Sequence, residues 1–330
     1  MHMADALLSP AVGGAMTVVS VATVAYAVKK ISKDSLDEKK IPMMGVMGAF
    51  VFAAQMINFT IPGTGSSGHI GGGILLAALL GPFPALIVLA SVLLVQCLFF
   101  ADGGLLAYGC NVFNMGICAC LLSYKFVYQP IVKKGLTRRN ILVASLASSA
   151  IGLQIGAFGV VVETFLSGVA ELPFESFLIL MQPIHLAIGI VEGIVTASVL
   201  NFIQSARPDL LSSVAFETKL ASSLSMKKVI APLLIFTALT GGGLSIFASA
   251  YPDGLEWSIE GVTGGAEIER DGAIYKTMGG VVERTAFMPD YAFKDSEGAP
   301  LETSAAGIVG SVITLAIAGG AGLAVKRLKK

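Results

Sequence analysis

Residues 10–30 have the sequence PAVGGAMTVVSVATVAYAVKK, an uncharged run that ends at Lys29 and Lys30. A helix rises about 1.5 Å per residue, so a run of this length is close to the ~30 Å that the hydrocarbon core of a bilayer requires. Lysine and arginine concentrate on the cytoplasmic side of membrane helices, so the lysine pair predicts a helix that starts outside and ends inside. Because no lysine or arginine precedes the run, we expect a retained helix and not a cleaved signal peptide.

The composition of the whole chain supports the same class. Of its 330 residues, 55% are hydrophobic and 13% are charged, whereas soluble domains have roughly 25% charged residues. The formal net charge is zero, so no bulk attraction to nucleic acid is expected. The four cysteines lie in apolar stretches and have neither zinc-site nor disulfide spacing. We therefore predict an all-α polytopic protein of the lipid bilayer.

Hydropathy and the distribution of positive charge predict nine helices in the cell membrane, with the amino terminus outside the cell and the carboxyl terminus in the cytoplasm. The stretch 70–100 is ambiguous, and charge decides it: a single helix there would put the basic residues between 125 and 139 outside. We therefore expect a hairpin broken at Gly81-Pro82-Phe83-Pro84, because proline interrupts a helix. The helices are expected at about 10–28, 41–59, 70–80, the following segment up to 100, 103–124, 140–165, 183–203, 229–248 and 305–325.

The first two residues, Met1 and His2, form a chelating group if the terminal amine is free. The Met1 amine and the His2 amide nitrogen can close a five-membered ring on a metal ion. The amide nitrogen and Nδ1 of His2 can close a six-membered ring. Three nitrogens then lie in one plane, and one further imidazole would complete a square. Planar nitrogen ligation suits Ni(II) or Cu(II) better than Zn(II), which prefers tetrahedral sites.

His69 lies in the glycine-rich loop 61–73 and is the predicted source of the fourth nitrogen. The second predicted helix ends outside, so its loop reaches the face on which residue 1 lies. The alternative interpretation is a loop histidine that only forms hydrogen bonds among glycines. The hydroxyl groups of Thr64, Ser66 and Ser67 could orient the His69 ring without binding the metal themselves.

His185 and Glu192 are polar residues within the seventh predicted helix. They are seven residues apart and therefore lie on one helix face, and ionisable groups within a membrane are costly and usually functional. Two interpretations stay open: a polar seam beneath the metal pocket, or a structural pair with satisfied hydrogen bonds. Asn58, near the end of the second predicted helix, is a further candidate for the pocket lining.

Residues 208–228 are polar and predict a cytoplasmic linker. It divides a seven-helix metal-binding unit, residues 1–207, from a two-helix accessory unit, residues 229–330. Within the accessory unit, the external segment 251–304 is acidic and is expected to be mostly non-helical. We expect this segment to assist metal loading or gating and not to supply ligands. Short strands are predicted near 257–262 and 279–282.

The sequence has no Gly-x-x-x-x-Gly-Lys-Ser/Thr motif, so the chain is not expected to hydrolyse a nucleotide or to be an enzyme. No catalytic residue or catalytic cofactor is predicted. Three classes of function remain: a metal-capturing transporter subunit that depends on partners, a self-sufficient proton-coupled carrier that uses His185 and Glu192, and a membrane scaffold that transports nothing. Ni(II) and Co(II) both accept nitrogen ligands, so ligand type alone does not distinguish them.

Three stretches of the chain resemble the CbiM/NikM family. They are residues 1–10 (MHMADALLSP), residues 63–73 (GTGSSGHIGGG) and residues 185–193 (HLAIGIVEG). The resemblance extends over about residues 1–205. Residues 252–257 (PDGLEW) are similar to the PDGLE-type accessory subunit of the CbiN/NikN kind, which here is fused at the carboxyl end.

The resemblance implies a substrate-binding membrane subunit of an energy-coupling-factor nickel or cobalt transporter. It implies that Ni(II) or Co(II) is bound by the Met1 amine, the His2 amide and imidazole nitrogens, and His69. It also implies two kinds of partner: a transmembrane coupling subunit similar to CbiQ/NikQ, and ATPase subunits similar to CbiO/NikO that hydrolyse the ATP. The opening residues 4–9 look more like the nickel branch of the family.

Overall fold

The computed structural model describes residues 1–33, 40–218, 227–265, 268, 270–294, 296 and 300–328, and within these ranges the protein is almost entirely helical. Two strands, β1 Phe59–Ile61 and β2 Ser66–Gly68, form an antiparallel hairpin after the second helix. The helices are α1 Pro10–Lys33, α2 Lys40–Gln55, α3 Gly73–Leu80, α4 Pro82–Phe100, α5 Tyr108–Val132, α6 Arg138–Ser167, α7 Phe174–Ala206, α8 Pro208–Ala215, α9 Lys227–Gly242, α10 Gly254–Thr263, α11 Ala273–Thr285 and α12 Pro300–Arg327.

The predicted all-α polytopic architecture is confirmed. In the described parts of the chain, seven helices are long and apolar enough to cross a bilayer. Two shorter apolar helices, the 16-residue α2 and the eight-residue α3, pack among them. The predicted break between α3 and α4 is present as well. Gly81 takes a φ of 95°, which side chains disfavour, and Pro82 is the first residue of α4, where its missing amide hydrogen costs nothing.

The start of one predicted helix was wrong, and the segment predicted as a linker is partly helical. The seventh long helix, α7, begins at Phe174, so Pro183 lies inside it. Packing against α6 holds this proline-containing turn, where Gln154 Nε2 donates to the Gln182 carbonyl at 2.8 Å. The predicted linker begins with a helix, α8, because its short apolar face, with Leu210 and Leu211, is buried. Residues 219–226 of that linker lie outside the described residues.

The accessory segment is more helical than predicted. The two patches expected to be strands lie inside helices, 257–262 in α10 and 279–282 in α11. The reason for α10 is local. Asp253 accepts hydrogen bonds from the first amides of the helix, while the Glu256 side chain accepts one from the Asp253 amide. This capping box fixes the start of a helix, and an alternating strand pattern does not reveal it.

Small residues bring the accessory helices onto the amino-terminal bundle. A side chain on Gly45 of α2 would lie 2.8 Å from the Leu315 carbonyl of α12, and one on Gly307 of α12 would lie 2.2 Å from the Gly241 carbonyl of α9. Backbones that approach this closely pack through van der Waals contact, the main source of helix association in a membrane. The accessory unit is thereby held against α2, the helix that leads into the β-hairpin.

Candidate metal-binding site

The hairpin that carries His69 is shaped by its local sequence. Gly63 and Gly65 have left-handed φ angles of 78° and 76°, which the turn between β1 and β2 requires. Thr64 closes the turn, because its hydroxyl donates to the Ile61 carbonyl at 2.9 Å. His69 follows β2 directly, so the hairpin delivers its ring to the start of α3.

The backbone after His69 is fixed by side chains from two other helices. Glu192 of α7 accepts hydrogen bonds from the amides of Gly71 at 2.8 Å and Gly72 at 3.1 Å, one with each carboxylate oxygen. These amides precede α3 and would otherwise lack partners, as the first amides of helices do. Gln55 of α2 donates to the Gly71 carbonyl at 2.9 Å. The position of His69 is therefore set by the bundle and not by the loop alone.

The chain terminus is held inside the bundle by its third and fifth residues. The Met3 amide donates to Asn111 Oδ1 at 2.7 Å, and Asn111 Nδ2 and the Gly104 amide both donate to the Met3 carbonyl. Asp5 accepts from the Ala107 amide at 2.9 Å. Met3 is fully buried. These bonds leave little freedom for the two residues that precede Met3.

His2 meets His69 at this end of the bundle. Their rings stack, with centroids 5.2 Å apart and planes inclined by 21°. His2 Nε2 lies 3.2 Å from Gln96 Oε1, and His2 Nδ1 lies 3.2 Å from Asp102 Oδ1. Gln96 in turn donates to Gln55 at 2.8 Å. One hydrogen-bonded chain therefore joins the His2 ring to the residue that holds the His69 loop.

The Met1 amine contacts the accessory unit. It donates to Oδ2 of Asp253, the residue that caps α10. The other oxygen, Oδ1, accepts from the Leu255 and Glu256 amides at 2.7 and 3.0 Å. Burial raises the pKa of Asp253, but the Met1 ammonium and these hydrogen bonds outweigh burial and hold the pKa well below its usual value. The anionic form of Asp253 is therefore favoured.

Both histidines are uncharged at neutral pH. Burial lowers the pKa of His69 to about 4, and the nearby Met1 ammonium lowers it further in the same direction. Burial also lowers the pKa of His2, although Asp102 opposes the change. Neutral imidazole is the form that binds a metal ion, so both rings are in the state that ligation requires.

His185 lines the same small cavity as Met1 and His69. Its Nδ1 lies 2.8 Å from the Met181 carbonyl, one turn back along α7. Its Nε2 is buried and has no hydrogen-bond partner among the described residues. Gly254 packs against the ring, since a side chain there would lie 3.3 Å from Nε2. His185 and Glu192, which the sequence left as a possible pair, each have a partner of their own.

The structure brings together the three predicted metal ligands, Met1, His2 and His69, at one end of the bundle. Asn58 lines the adjoining cavity next to the two histidines, and its carbonyl accepts from the Ser249 amide at 2.8 Å. Glu192 and His185 line the cavity that Met1 and His69 also line. The residues predicted from the sequence therefore form one compact group.

The hydroxyl groups predicted to orient His69 have other partners. Thr64 stabilises its own turn, and the hydroxyls of Ser66 and Ser67 donate to the Pro252 and Tyr251 carbonyls at 3.3 and 2.8 Å. His69 Nδ1 instead lies 3.2 Å from the carbonyl of the next residue. The serines thus attach the accessory unit to the loop.

Sequence reasoning missed the polar groups that contact the ligands. Asp253, Asp102 and Gln96 were not predicted to belong to the site. The capping box that begins at Asp253 was a usable indication of a helix start, and a glutamine within the apolar helix α4 was a usable indication of a buried polar contact. No pattern in the chain connects Asp102 with His2, because their contact depends on the tertiary fold.

Side chains alone do not form a metal site here. In the parts of the chain that the structure describes, no group of three or more His, Cys, Asp or Glu side chains is arranged to hold an ion.

Residues 2–210 match the family model for CbiM, described as the cobalt uptake substrate-specific transmembrane region. The chain belongs to the CbiM family. Residues 227–327 match the PDGLE domain. The two matches together span both units of the chain, so a CbiM region and a PDGLE region are joined in a single polypeptide.

Similar proteins include other fused chains. The putative fused nickel transport protein NikMN of Archaeoglobus fulgidus is 32% identical over 320 residues, which is 96% of each chain. The fused nickel transport protein NikMN of Rhodobacter capsulatus is 28% identical and spans 96% of this chain and 95% of its own. A crystal structure of a transition metal transporter is 31% identical, with a TM-score of 0.55, and covers 62% of this chain and 93% of its own.

These findings make the chain a multi-pass membrane component of metal uptake and not an enzyme. The relatives are named for nickel or for cobalt transport. The predicted membership of the CbiM/NikM family, with a fused PDGLE region, is thereby confirmed.

Proposed function

We propose that this chain captures Ni(II), or Co(II), outside the cell and passes it inward as the substrate-specific component of an energy-coupling-factor transporter. ATP is hydrolysed by separate ATPase subunits similar to CbiO/NikO, which act through a transmembrane coupling subunit similar to CbiQ/NikQ. The chain lies in the cell membrane with its amino terminus outside and its carboxyl terminus in the cytoplasm. The full-length relatives that are named for nickel transport favour nickel as the cargo.

The observation that carries this proposal is the convergence of the chain terminus on His69. The His2 and His69 rings stack at 5.2 Å, and Met1 and His69 line one cavity. Two separate sets of hydrogen bonds hold these elements there, one on Met3 and one on Gly71 and Gly72. A terminus without a ligand role has no physical need for such precise burial, because free chain ends usually remain exposed.

Four nitrogens then form a planar ligand set. They are the Met1 amine, the His2 amide nitrogen, His2 Nδ1 and one ring nitrogen of His69. The Ile70 carbonyl, 3.2 Å from His69 Nδ1, favours a hydrogen on that atom and leaves Nε2 for the metal. The His2 amide must lose its hydrogen, so binding releases protons and weakens as the pH falls.

The test is a Ni(II) titration of protein without a tag, whose amino-terminal peptide has been verified by mass spectrometry. A square-planar site gives a yellow, diamagnetic complex with a d–d absorption band. One extra residue before Met1 replaces the amine by an amide, so we expect high-affinity binding to be lost as completely as in His2→Ala or His69→Ala. A tag after Lys330 is the matched control and should leave binding unchanged. Equal affinity in the extended protein, or an octahedral paramagnetic site, would refute the terminal chelate.

Uptake into vesicles distinguishes the mode of energisation. Uptake that needs ATP and the partner subunits supports the proposal, whereas uptake by this chain alone under a pH gradient would support a proton-coupled carrier. The carrier would rely on His185 and Glu192, but both oxygens of the Glu192 carboxylate are bonded to backbone amides of the His69 loop. These bonds favour a structural role for Glu192 and therefore favour the partner-dependent transporter.

A further inference from the structure

Two nitrogens of the proposed chelate contact carboxylates. The Met1 amine donates to Asp253, and His2 Nδ1 lies 3.2 Å from Asp102 Oδ1. An imidazole nitrogen has a single in-plane direction, which holds either a hydrogen or a lone pair. A nitrogen that donates a hydrogen to a carboxylate along that direction has no lone pair there for a metal. The same holds for a terminal ammonium, so the hydrogen bond from the Met1 amine to Asp253 and the chelate exclude one another. The Asp102 carboxylate lies beside the His2 nitrogen that would bind the metal.

The accessory unit positions both carboxylates. Asp253 belongs to this unit and is fixed at the start of α10 by the Leu255 and Glu256 amides. Asp102 follows α4 of the amino-terminal bundle, but its second oxygen accepts the hydroxyl hydrogen of Tyr291 from the accessory unit. Each of the two blocked nitrogens therefore depends on a residue beyond position 229.

A short seam of hydrogen bonds docks this unit on the His69 loop. The Ser67 amide donates to the Pro252 carbonyl at 2.8 Å, and the Ser67 hydroxyl donates to the Tyr251 carbonyl at 2.8 Å. Trp257 Nε1 donates to the Thr64 carbonyl at 3.0 Å. We call these five residues the docking seam. It lies within a few residues of His69, so a movement of the seam changes access to the ligands.

We propose that the docked accessory unit is a gate on the chelate. Asp253 holds the Met1 amine away from the metal, the Asp102–Tyr291 pair keeps a carboxylate beside His2 Nδ1, and metal capture opens the docking seam. This inference rests on the proposed terminal chelate and adds to it the regulation of the site. In this proposal Asp253 competes with the metal for the Met1 amine and is not itself a metal ligand.

The proposal has a reciprocal consequence. If docking opposes metal binding, metal binding must oppose docking by the same factor. The metal then weakens the seam, and a variant with a weakened seam binds the metal more tightly. A role for Asp253 as a group that assists the chelate predicts the reverse sign for both effects, so the sign of the coupling decides between them.

The main test is Ni(II) affinity in Asp253→Asn. Asparagine caps a helix as well as aspartate does, so α10 is preserved while the negative charge that faces the Met1 amine is removed. The expected result is an affinity roughly 5-fold or more above wild type, within the usual range of coupling between sites. Asp271→Asn is the matched control, because Asp271 is an exposed carboxylate of the same segment paired with Lys276. An affinity in Asp253→Asn equal to that of the control, or lower, would overturn the gate.

A second measurement reports on the seam directly. Hydrogen exchange at the Ser67 amide follows its bond to Pro252, and peptides from α6 serve as the internal reference. Exchange at Ser67 should become faster when Ni(II) is added to the wild-type protein, and it should already be fast in Asp253→Asn. Slower exchange or no change on metal addition would contradict the proposal.

Tyr291→Phe tests the second contact, because it removes only the hydroxyl that holds Asp102. We expect a smaller rise in affinity than for Asp253→Asn. Tyr26→Phe is the control, since the Tyr26 side chain is exposed and lies on α1, outside the docking seam. Failure of the proposed chelate can be distinguished from failure of the gate. If the chelate is wrong, the amino-terminally extended protein still binds Ni(II). If only the gate is wrong, the extension abolishes binding, but Ni(II) affinity does not rise in Asp253→Asn and Tyr291→Phe.

Discussion

Two carboxylates contact the metal-binding region, and they differ in what they hold. Glu192 lies within the bundle and is buried, and each of its oxygens accepts from a fixed backbone amide of the His69 loop. Asp253 lies in the accessory unit, and only one of its oxygens accepts from backbone amides. Its other oxygen accepts from the Met1 amine, a group that has an alternative partner in a metal ion.

The difference separates a structural contact from an exchangeable one. The amides of Gly71 and Gly72 would lose their hydrogen-bond acceptor if Glu192 were removed, so we expect this contact to be structural. The contact between Met1 and Asp253 competes with ligation. One end of the chelate is therefore built permanently by the bundle, and the other is available only when the accessory unit releases it.

The largest effect is expected at Glu192. In Glu192→Ala two buried amides lose their partner, and each such loss costs about 1–3 kcal/mol. The His69 loop should then lose its fixed position, and Ni(II) affinity should fall together with the free energy of unfolding. Glu192→Gln, which keeps one acceptor, should lose about half as much. Isothermal titration and thermal unfolding in detergent measure the two quantities.

Glu171→Ala provides the control for Glu192, since Glu171 is an exposed residue after α6. It should change neither affinity nor stability. If Glu192→Ala retained wild-type stability and affinity while abolishing pH-driven uptake, the carboxylate would be a proton carrier and the comparison with Asp253 would fail.

The next effect concerns His69 and pH. Its pKa falls to about 4 in the folded protein, whereas an unfolded chain has a histidine pKa near 6.5. The unfolded state therefore binds the proton more readily, and the His69 contribution to stability is complete above about pH 6.5 and is lost as the pH falls towards 4. In His69→Gln, the decline of stability with acid should be shallower by up to about 1.4 kcal/mol per pH unit in this window. Parallel unfolding curves for the two proteins would show that the shift is absent.

Asn111→Ala should have a moderate effect on the other end of the chelate. Asn111 exchanges two hydrogen bonds with the Met3 backbone, and their loss costs about 1–3 kcal/mol for the buried amide left without a partner. Ni(II) affinity should fall by roughly tenfold, because the terminus must be ordered when the metal binds. Asn140→Ala, at a hydrogen-bonded position far from the terminus, is the control. Unchanged affinity in Asn111→Ala would mean that the terminus needs no fixed position.

Much of this architecture follows from the sequence because its causes are local or topological. The run ending at Lys29 and Lys30 determines the first helix, and the need to keep the basic residues between 125 and 139 inside determines the break at Gly81. The meeting of Met1, His2 and His69 follows from the same alternation of helices. These features depend on length, charge and proline, all of which can be counted along the chain.

The contacts that regulate the site could not be predicted in this way. The bond from Met1 to Asp253 joins residues 252 positions apart, and its formation depends on how α9 and α12 pack against α2. The start of α7 at Phe174 was missed because interhelix contacts near Gln154 outweigh the disruption by Pro183. These contacts form because distant parts of the chain pack together, and the local sequence of either partner does not predict them.

The smallest effect is expected for Trp257→Phe, which tests whether docking of the accessory unit opposes metal binding. The Trp257 indole N–H donates to the Thr64 carbonyl, and its ring packs beside Ile61, Ile184 and Ile188. Phenylalanine keeps an aromatic ring in that position and removes the donor, and water can reach the half-buried Thr64 in its place. Docking should therefore weaken by only about 0.5–1.5 kcal/mol.

Exchange at the Ser67 amide should become several-fold faster in Trp257→Phe, with a small rise in Ni(II) affinity. Thr60→Val, which removes an exposed bond to Ser249 at the edge of the hairpin, should change exchange less. If Trp257→Phe instead lowered the affinity, the docked unit would support the chelate, and Asp253 would belong with Glu192 among the permanent contacts of the site.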